Sequence, residues 1–463
     1  MENKIAIIGG GLSGTLLSIH LLKTVKEPLE IILFEKSGDQ LHRGVAYSGI
    51  LPYQLLNVPV KGMSLFEDDP LHFYNWLRLN DYTCSKEDFV PRNVFGDYLE
   101  ESLQAVLMQN QIHQYRVCNT EVTGLVKNEQ EITIITQEGR YAADKVFLCT
   151  GNFPPGDLPN LSRDIIRNQR YITTPWDGKY LSAVKPEDTV FIAGTGLTMV
   201  DQVMSLCEMS FPGKIVAGSR RGYLPSAHGA TPPYELASLP SLNGTSVLDL
   251  HYWFKNEIAK AESAGKNYRS VLDAIRPHIQ NIWRSLSFND KLLFLRYIRP
   301  LWEVHRHRIP ATTAEYLQRL IAEGRLQIVP GRIKGIVQNS ATQFTVCISP
   351  KGNKPVVPVT ANWILNCTGP QSDHKKVDSP LYDNLFAQGI ISMDETGLGI
   401  RTMESGQVIN EYGKAEERII AVGPLLKASL WESTALREIR LQIYRLTRNL
   451  AVKELPSPTI IEG

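Results

Sequence analysis

The sequence lacks the features that mark several large protein classes. Its 463 residues hold 49 Lys and Arg against 48 Asp and Glu, a formal net charge of +1. That near balance gives no electrostatic reason to expect nucleic acid or an acidic surface as partner. No apolar run reaches the roughly 18 residues that span a bilayer. The chain enters a strand pattern at once, without a secretory leader profile, so a cytoplasmic location is expected. The six cysteines, Cys84, Cys118, Cys149, Cys207, Cys347 and Cys367, are scattered and contain no C-x-x-C. That spacing argues against a disulfide framework, a zinc site and a redox-active pair close in sequence. The expectation is small, mostly buried hydrophobes. No low-complexity tract and no short-period repeat is visible.

What is present is the opening of a dinucleotide-binding unit, twice. Lys4-Ile5-Ala6-Ile7-Ile8 runs into Gly9-Gly10-Gly11-Leu12-Ser13-Gly14, and Thr189-Val190-Phe191-Ile192-Ala193 runs into Gly194-Thr195-Gly196-Leu197-Thr198. One such loop holds one dinucleotide, so two on one chain point to hydride transfer between two cofactors, as in a flavoenzyme. The length exceeds what one core usually supports, and two or three domains are expected.

The first loop has the context its motif needs. A helical pattern follows it, then the strand Leu29-Glu30-Ile31-Ile32-Leu33-Phe34, ending on Glu35. Gly9 allows the tight turn, Gly11 lets backbone approach a pyrophosphate, and Gly14 lets helix and strand pack closely. Leu12 and Ser13 open the helix, whose N-terminus favours phosphates. Glu35, 21 residues after Gly14 and followed by Lys36, stands where an acid accepts ribose hydroxyls. Arg43, Ala46, Tyr47, Asn57 and Val58 lie in the long stretch that follows. Asp144 to Asn152 is an apolar strand closing on Thr150-Gly151. A returning strand of this kind resembles those of FAD-binding domains, and FAD is the expected ligand.

In the second loop, which opens with Gly194, Gly196, Leu197 and Thr198, Met199 replaces the third glycine. That change is expected to loosen the helix–strand packing. The next strand, Lys214 to Gly218, leads to Ser219-Arg220-Arg221-Gly222 with no acid at its end. A ribose 2′-phosphate needs cationic donors, whereas a free 2′-hydroxyl prefers a carboxylate. Arg220 and Arg221 therefore favour NADPH over NADH. The plainer reading is a solvated strand end.

The expected fold is α/β, with two nested Rossmann-like dinucleotide-binding domains and a helical insertion. Residues 1–180 form the first part of a discontinuous FAD domain. Residues 181–325 form the NAD(P)H domain with a helical segment from about Ser246 to Gly324. Residues 326–463, which include a second strand-to-Thr-Gly segment at Asn362–Pro370, return to the FAD domain. Arg418 to Pro424 reads as a strand into a turn at Gly423. Leu430-Trp431-Glu432-Ser433-Thr434 then reads as the opening of a final helix, its dipole aimed at the flavin.

The run His305-Arg306-His307-Arg308 is too costly to leave unpaired in a core. It could clamp a carboxylate-bearing substrate or NADPH phosphates, or form an ordinary ion-pair network. His305 and His307 do not share a helical face and no third ligand is evident, so no metal is expected. His228 is a further candidate near the nicotinamide, leaving His228, Arg306 and Arg308 as catalytic candidates with no roles assigned.

Together, Gly9–Gly14, Arg43–Ser48, Phe89-Val90-Pro91-Arg92 with Gly96 and Tyr98, Gly194–Asp201, Ser219–Gly222, Trp302–Pro310 and Trp431–Arg440 resemble the bacterial FAD/NAD(P)-binding proteins. That group is similar to the lysine/ornithine N-hydroxylating flavin monooxygenases. The resemblance covers nearly the whole chain and implies FAD in the first domain and NADPH in the second. It also implies that Met199 suits the family's own second loop, which Asp201 closes. The expected activity is that of an NADPH-dependent flavin monooxygenase taking dioxygen and a small amine or amino acid. A reductase or an oxidase/dehydrogenase without oxygen insertion is the alternative, and an FAD-binding redox sensor a third.

Overall fold

The computed structural model describes residues 3–49, 51, 53–236, 238–352 and 354–452. The chain divides into two compact units. One comprises Met1–Ile50, Pro59–Phe153 and Ser372–Gly463, and the other Leu51–Val58 and Pro154–Gln371.

The first unit is built on a parallel sheet with one antiparallel edge strand. Asn3–Ile8 lies between Leu29–Phe34 and Lys145–Leu148. Gln114–Cys118 extends one side and Ala415–Ala421 the other, with Gln407–Ile409 antiparallel at the edge. The central strands read as continuous apolar runs because both faces are covered. The helix Leu12–Thr24 is buried at every position from Ser13 to Leu22. It packs against the helices Arg92–Gln109 and Leu436–Val452, which explains why it has no polar face. Its polar side chains bond inward instead: Thr15 Oγ1 donates to the Gly10 carbonyl, Ser18 Oγ to that of Gly14, and His20 Nε2 to that of Leu65.

The second unit repeats the plan. Its main sheet has five parallel strands, in the order Leu326–Pro330, Lys214–Ser219, Thr189–Ala193, Trp363–Asn366, Tyr171–Ile172. In both units a three-stranded antiparallel sheet precedes the returning strand. It is Val122–Lys127, Ile132–Thr136 and Arg140–Ala143 in the first. In the second it is Arg332–Ser340, Gln343–Ser349 and Val357–Ala361.

This duplication corrects the expected layout. Residues 326–371 do not return to the first domain, because Trp363–Asn366 pairs with Thr189–Ala193 as Lys145–Leu148 pairs with Asn3–Ile8. Each Cys-Thr-Gly closes its own unit. The stretch 154–180 also belongs to the second unit, with Tyr171–Ile172 as its edge strand. The expected helical region is present, running from Val247–Ser263 to Ala311–Ala322. The C-terminal helix begins at Leu436 rather than at Leu430. Trp431 to Ala435 forms turns, with Glu432 in the left-handed region at φ 67°. A helix cannot run through that conformation.

Among the buried groups of the first unit is His374, whose ring meets those of Phe153 and Tyr382 edge-on at 5.0 and 5.4 Å. Burial lowers its pKa from 6.5 to about 4. The folded protein thus holds His374 neutral while the unfolded chain protonates it below 6.5. Stability therefore rises with pH between about 4 and 6.5, and protonation costs about 3 kcal/mol at the acid end. In urea titrations across this window, His374→Asn is expected to flatten the pH dependence relative to wild type. An unchanged slope would remove the assignment.

Candidate functional site: two glycine loops with different ribose ends

The first loop is shaped by one close approach. At Gly9, φ is 105°, and an added Cβ would lie 2.4 Å from the Cys149 carbonyl oxygen. At Gly14 an added Cβ would lie 2.0 Å from the Gly9 carbonyl oxygen. No side chain fits at either place, so strand, loop and helix can meet only through glycine. Gly11 faces Gly44, whose Cα would lie 3.2 Å from an added Cβ. Gly44 itself has φ 63°, and the preceding His42 has φ 66° and donates its amide to the Gly10 carbonyl at 2.7 Å. Neither left-handed residue was legible as a site feature in the sequence.

Glu35 sits where the motif requires. Its Oε2 accepts the Gly10 amide at 2.7 Å and its Oε1 the Ser37 amide at 3.0 Å. Both oxygens are thereby oriented, with lone pairs left for hydroxyl donors. The helix Leu12–Thr24 starts on Gly11 with no side-chain cap, and Leu197–Glu208 starts in the same way on Gly196. Elsewhere Ser162, Ser246, Asn267 and Ser287 do cap their helices. Two long helices that begin on glycine without a cap leave first-turn amides for an anion.

Other expected residues of the first site are distributed as follows. Gly423, at φ 75°, stands against Ser13, whose Oγ would lie 2.5 Å from an added Cβ. The strand end near Gly423 is thus brought to the helix start. Thr150 Oγ1 bonds to the Tyr382 hydroxyl at 2.8 Å. Arg43 is held by Asp97 and Glu100 at 2.7 Å each, which fixes the Arg43–Tyr47 turn to the helix Arg92–Gln109. Lys36 pairs with Glu121 at 3.3 Å. Ala46 is exposed, the Tyr47 ring packs tilted against that of Phe95, and Trp431 is buried. Asn57 and Val58 belong to the second unit, where the Asn57 carbonyl accepts a hydrogen bond from His228 Nε2 at 3.0 Å.

The second loop repeats the first glycine's contacts. Gly194 has φ 111°, and an added Cβ would lie 2.3 Å from the Cys367 carbonyl oxygen. Its amide donates to the Gly218 carbonyl at 2.7 Å, as Gly9 donates to Phe34 at 2.9 Å. Gly218 thus corresponds to Phe34 and Ser219 to Glu35. The Ser219 hydroxyl accepts the Gly222 amide at 3.0 Å and bonds to Thr195 Oγ1 at 2.8 Å. Thr195 spends its own proton on the Tyr223 carbonyl at 2.6 Å. A neutral, fully bonded hydroxyl occupies the place of the carboxylate. Arg220, next in line, is exposed and makes no ion pair among the described residues. Arg221 lies over Tyr223 at 5.9 Å and donates to the Arg296 carbonyl. Met199 is fully buried in the core of this unit.

The catalytic candidates fall in the second unit. His228 and Arg308 are neighbours: burial lowers the pKa of His228, the bond to the Asn57 carbonyl opposes that shift, and the Arg308 charge adds to it. Arg306 is half-buried on the helix Arg299–Arg306. No cluster of metal-ligating side chains occurs among the described residues. Among the described residues, no helix is long and apolar enough to cross a membrane.

Comparison with known proteins agrees with this geometry. Residues 6–153 match the family model described as FAD-NAD(P)-binding. The chain is similar to the ornithine N-hydroxylase of Kutzneria sp. 744, solved with reduced FAD, NADP+ and L-ornithine. The identity is 15%, the TM-score 0.65, and the match covers 98% of this chain and 100% of that one. It is also similar to L-lysine 6-monooxygenase from Pseudomonas syringae, at 16% identity, TM-score 0.64, and 97% and 99% coverage. The thioredoxin reductase of Lactococcus lactis matches at 12% identity, TM-score 0.52, and 98% and 100% coverage. No curated protein sequence matches the chain. The fold is that of FAD/NAD(P)-binding flavoproteins with two dinucleotide units.

The first loop yields a direct expectation. Gly11→Val pushes side-chain carbons into Gly44, and the purified variant should be colourless where the wild type is yellow. A Gly11→Val protein with normal visible flavin absorbance would contradict the site.

Proposed function

We propose that the protein is an NADPH-dependent flavin monooxygenase acting on a small amine or amino acid. The observation that carries the reading is the pair of glycine loops with one geometry and two ribose ends, Glu35 in one and Ser219-Arg220 in the other. In this reading FAD lies on Gly9–Gly14, its pyrophosphate on the start of the helix Leu12–Thr24 and its ribose on Glu35. NADPH lies on Gly194–Thr198. Ser219 there removes the negative charge that would repel a 2′-phosphate, and Arg220 offers a cation. Bound FAD supplies the hydride acceptor and, once reduced, the electrons that activate dioxygen. The balanced reaction is amine, dioxygen, NADPH and a proton to hydroxylamine, water and NADP+. The chain's own contribution is to position two dinucleotides and the amine.

A disulfide reductase on the same fold is disfavoured by the thiols. All six cysteines are free, and burial raises the pKa of the buried Cys149 and Cys367 thiols. A thiol so held is a poor nucleophile for disulfide exchange. The similarity to hydroxylases of ornithine, lysine and cadaverine supports an amine substrate.

The reaction is tested by NADPH-dependent oxygen uptake with a panel of diamines and basic amino acids, together with assay of N-hydroxylated product. The expected result is uptake matched by hydroxylamine for at least one amine. Uptake yielding only hydrogen peroxide with every amine would favour the oxidase alternative. For the coenzyme, Arg220→Ala plus Arg221→Ala is expected to weaken NADPH by about 10- to 100-fold, the value of one or two charge-assisted bonds, with little change for NADH. Ser219→Glu should move preference the same way. Equal losses for both coenzymes would remove the 2′-phosphate assignment.

A further inference from the structure

We propose that the second unit carries an anion subsite, formed by Arg269 and Arg308 beside the Pro225–Gly229 segment, that takes the oxygens of a carboxylate or a phosphate. The inference rests on the proposed reaction only for which molecule brings the anion.

The segment is fixed by its backbone. Ser226 donates its amide to the Val304 carbonyl, Ile309 to Ser226, and His228 to Ile309, at 2.9, 3.0 and 2.8 Å. Side chains from the helix Tyr268–Ile275 and from Arg308, just past the end of the helix Arg299–Arg306, gather around it. Arg308, 6% exposed, donates Nε to the His305 carbonyl at 3.0 Å, and its Nη2 reaches Asp273 Oδ1 only at 3.4 Å. Arg269 donates Nη2 to the Ala227 carbonyl at 3.3 Å and lies over the Tyr268 ring at 4.7 Å. Its Nε is buried without an acceptor, and it forms no ion pair among the described residues. Gly229 stands beside this guanidinium, 3.6 Å from its Cζ at the position of an added Cβ.

Charge bookkeeping points to an anion. Two guanidiniums face one carboxylate, and that carboxylate is 42% exposed. The two imidazoles do not change the balance. Burial and the neighbouring Arg269 and Arg308 lower the pKa of His305, and burial with those cations lowers that of His228. One positive charge is left over, that of the half-buried Arg269, with its buried Nε donor unspent. A second anion with two oxygens meets both needs, since guanidinium forks match carboxylate and phosphate geometry.

The test uses the full-length holoenzyme in an Arg220→Ala plus Arg221→Ala host, which silences the expected 2′-phosphate site. Calorimetric titration with inorganic phosphate and with acetate, at constant ionic strength, should show one saturable site. Arg269→Met and Arg308→Met should each weaken it at least tenfold. Arg308→Lys keeps the charge without the fork and serves should Arg308→Met fail to fold. Anion affinities within twofold of the host for Arg269→Met and either Arg308 variant would overturn the proposal. The source is then read with otherwise unaltered protein. A tenfold loss of NADP+ affinity in Arg269→Met assigns the anion to the dinucleotide. Unchanged NADP+ affinity, with loss of preference for L-ornithine over putrescine or L-lysine over cadaverine, assigns it to the substrate carboxylate. Should no amine stimulate oxygen uptake, the proposed reaction fails while the anion titration still decides the subsite.

Discussion

The constraint on which the structure depends is the contact between a glycine and the carbonyl of a returning strand. Gly9 meets Cys149, and Gly194 meets Cys367, each at a distance that excludes any side chain. In both units this contact lies where neighbouring strands leave on opposite sides of the central one, the place where open α/β sheets bind ligands. The contact sets the direction of the loop, and the loop sets the direction of a helix whose first amides have no side-chain cap. The anion-binding end is therefore a consequence of backbone packing, with side chains free to specify which dinucleotide is held.

Those side chains differ between the units where chemistry requires it and agree where geometry does. Phe34 and Gly218 occupy one ladder position, because each offers only a carbonyl to the first glycine. One residue on, Glu35 presents a carboxylate and Ser219 a hydroxyl. The third position shows the opposite economy. Gly14 permits near contact of helix and loop, while Met199 puts a fully buried side chain at the same sequence position. The second unit so tolerates a residue that breaks the usual motif.

The glycine loops, the acid strand and the Arg220–Arg221 pair were all legible in the sequence, since local spacing alone sets a loop between strand and helix. The returning strand was not. Asn362–Gly369 has the same local pattern as Asp144–Gly151, and only pairing partners tell which sheet each completes. The repeated Cys-Thr-Gly carried the signal, one per glycine loop. The turn at Trp431–Ala435 was misread as helix because its composition suits one, while the left-handed Glu432 is imposed by tertiary packing. The bond between Arg308 and Asp273 joins residues 35 apart, beyond what helical spacing reveals.

The proposed function puts one dinucleotide on each loop and passes hydride from one to the other. That claim is tested most directly by titrating the purified yellow protein with NADPH under anaerobic conditions while following the flavin spectrum. The account predicts bleaching of the oxidised flavin bands at about one equivalent of NADPH, with colour restored by air. Protein that binds flavin yet keeps its oxidised spectrum in excess NADPH would contradict it.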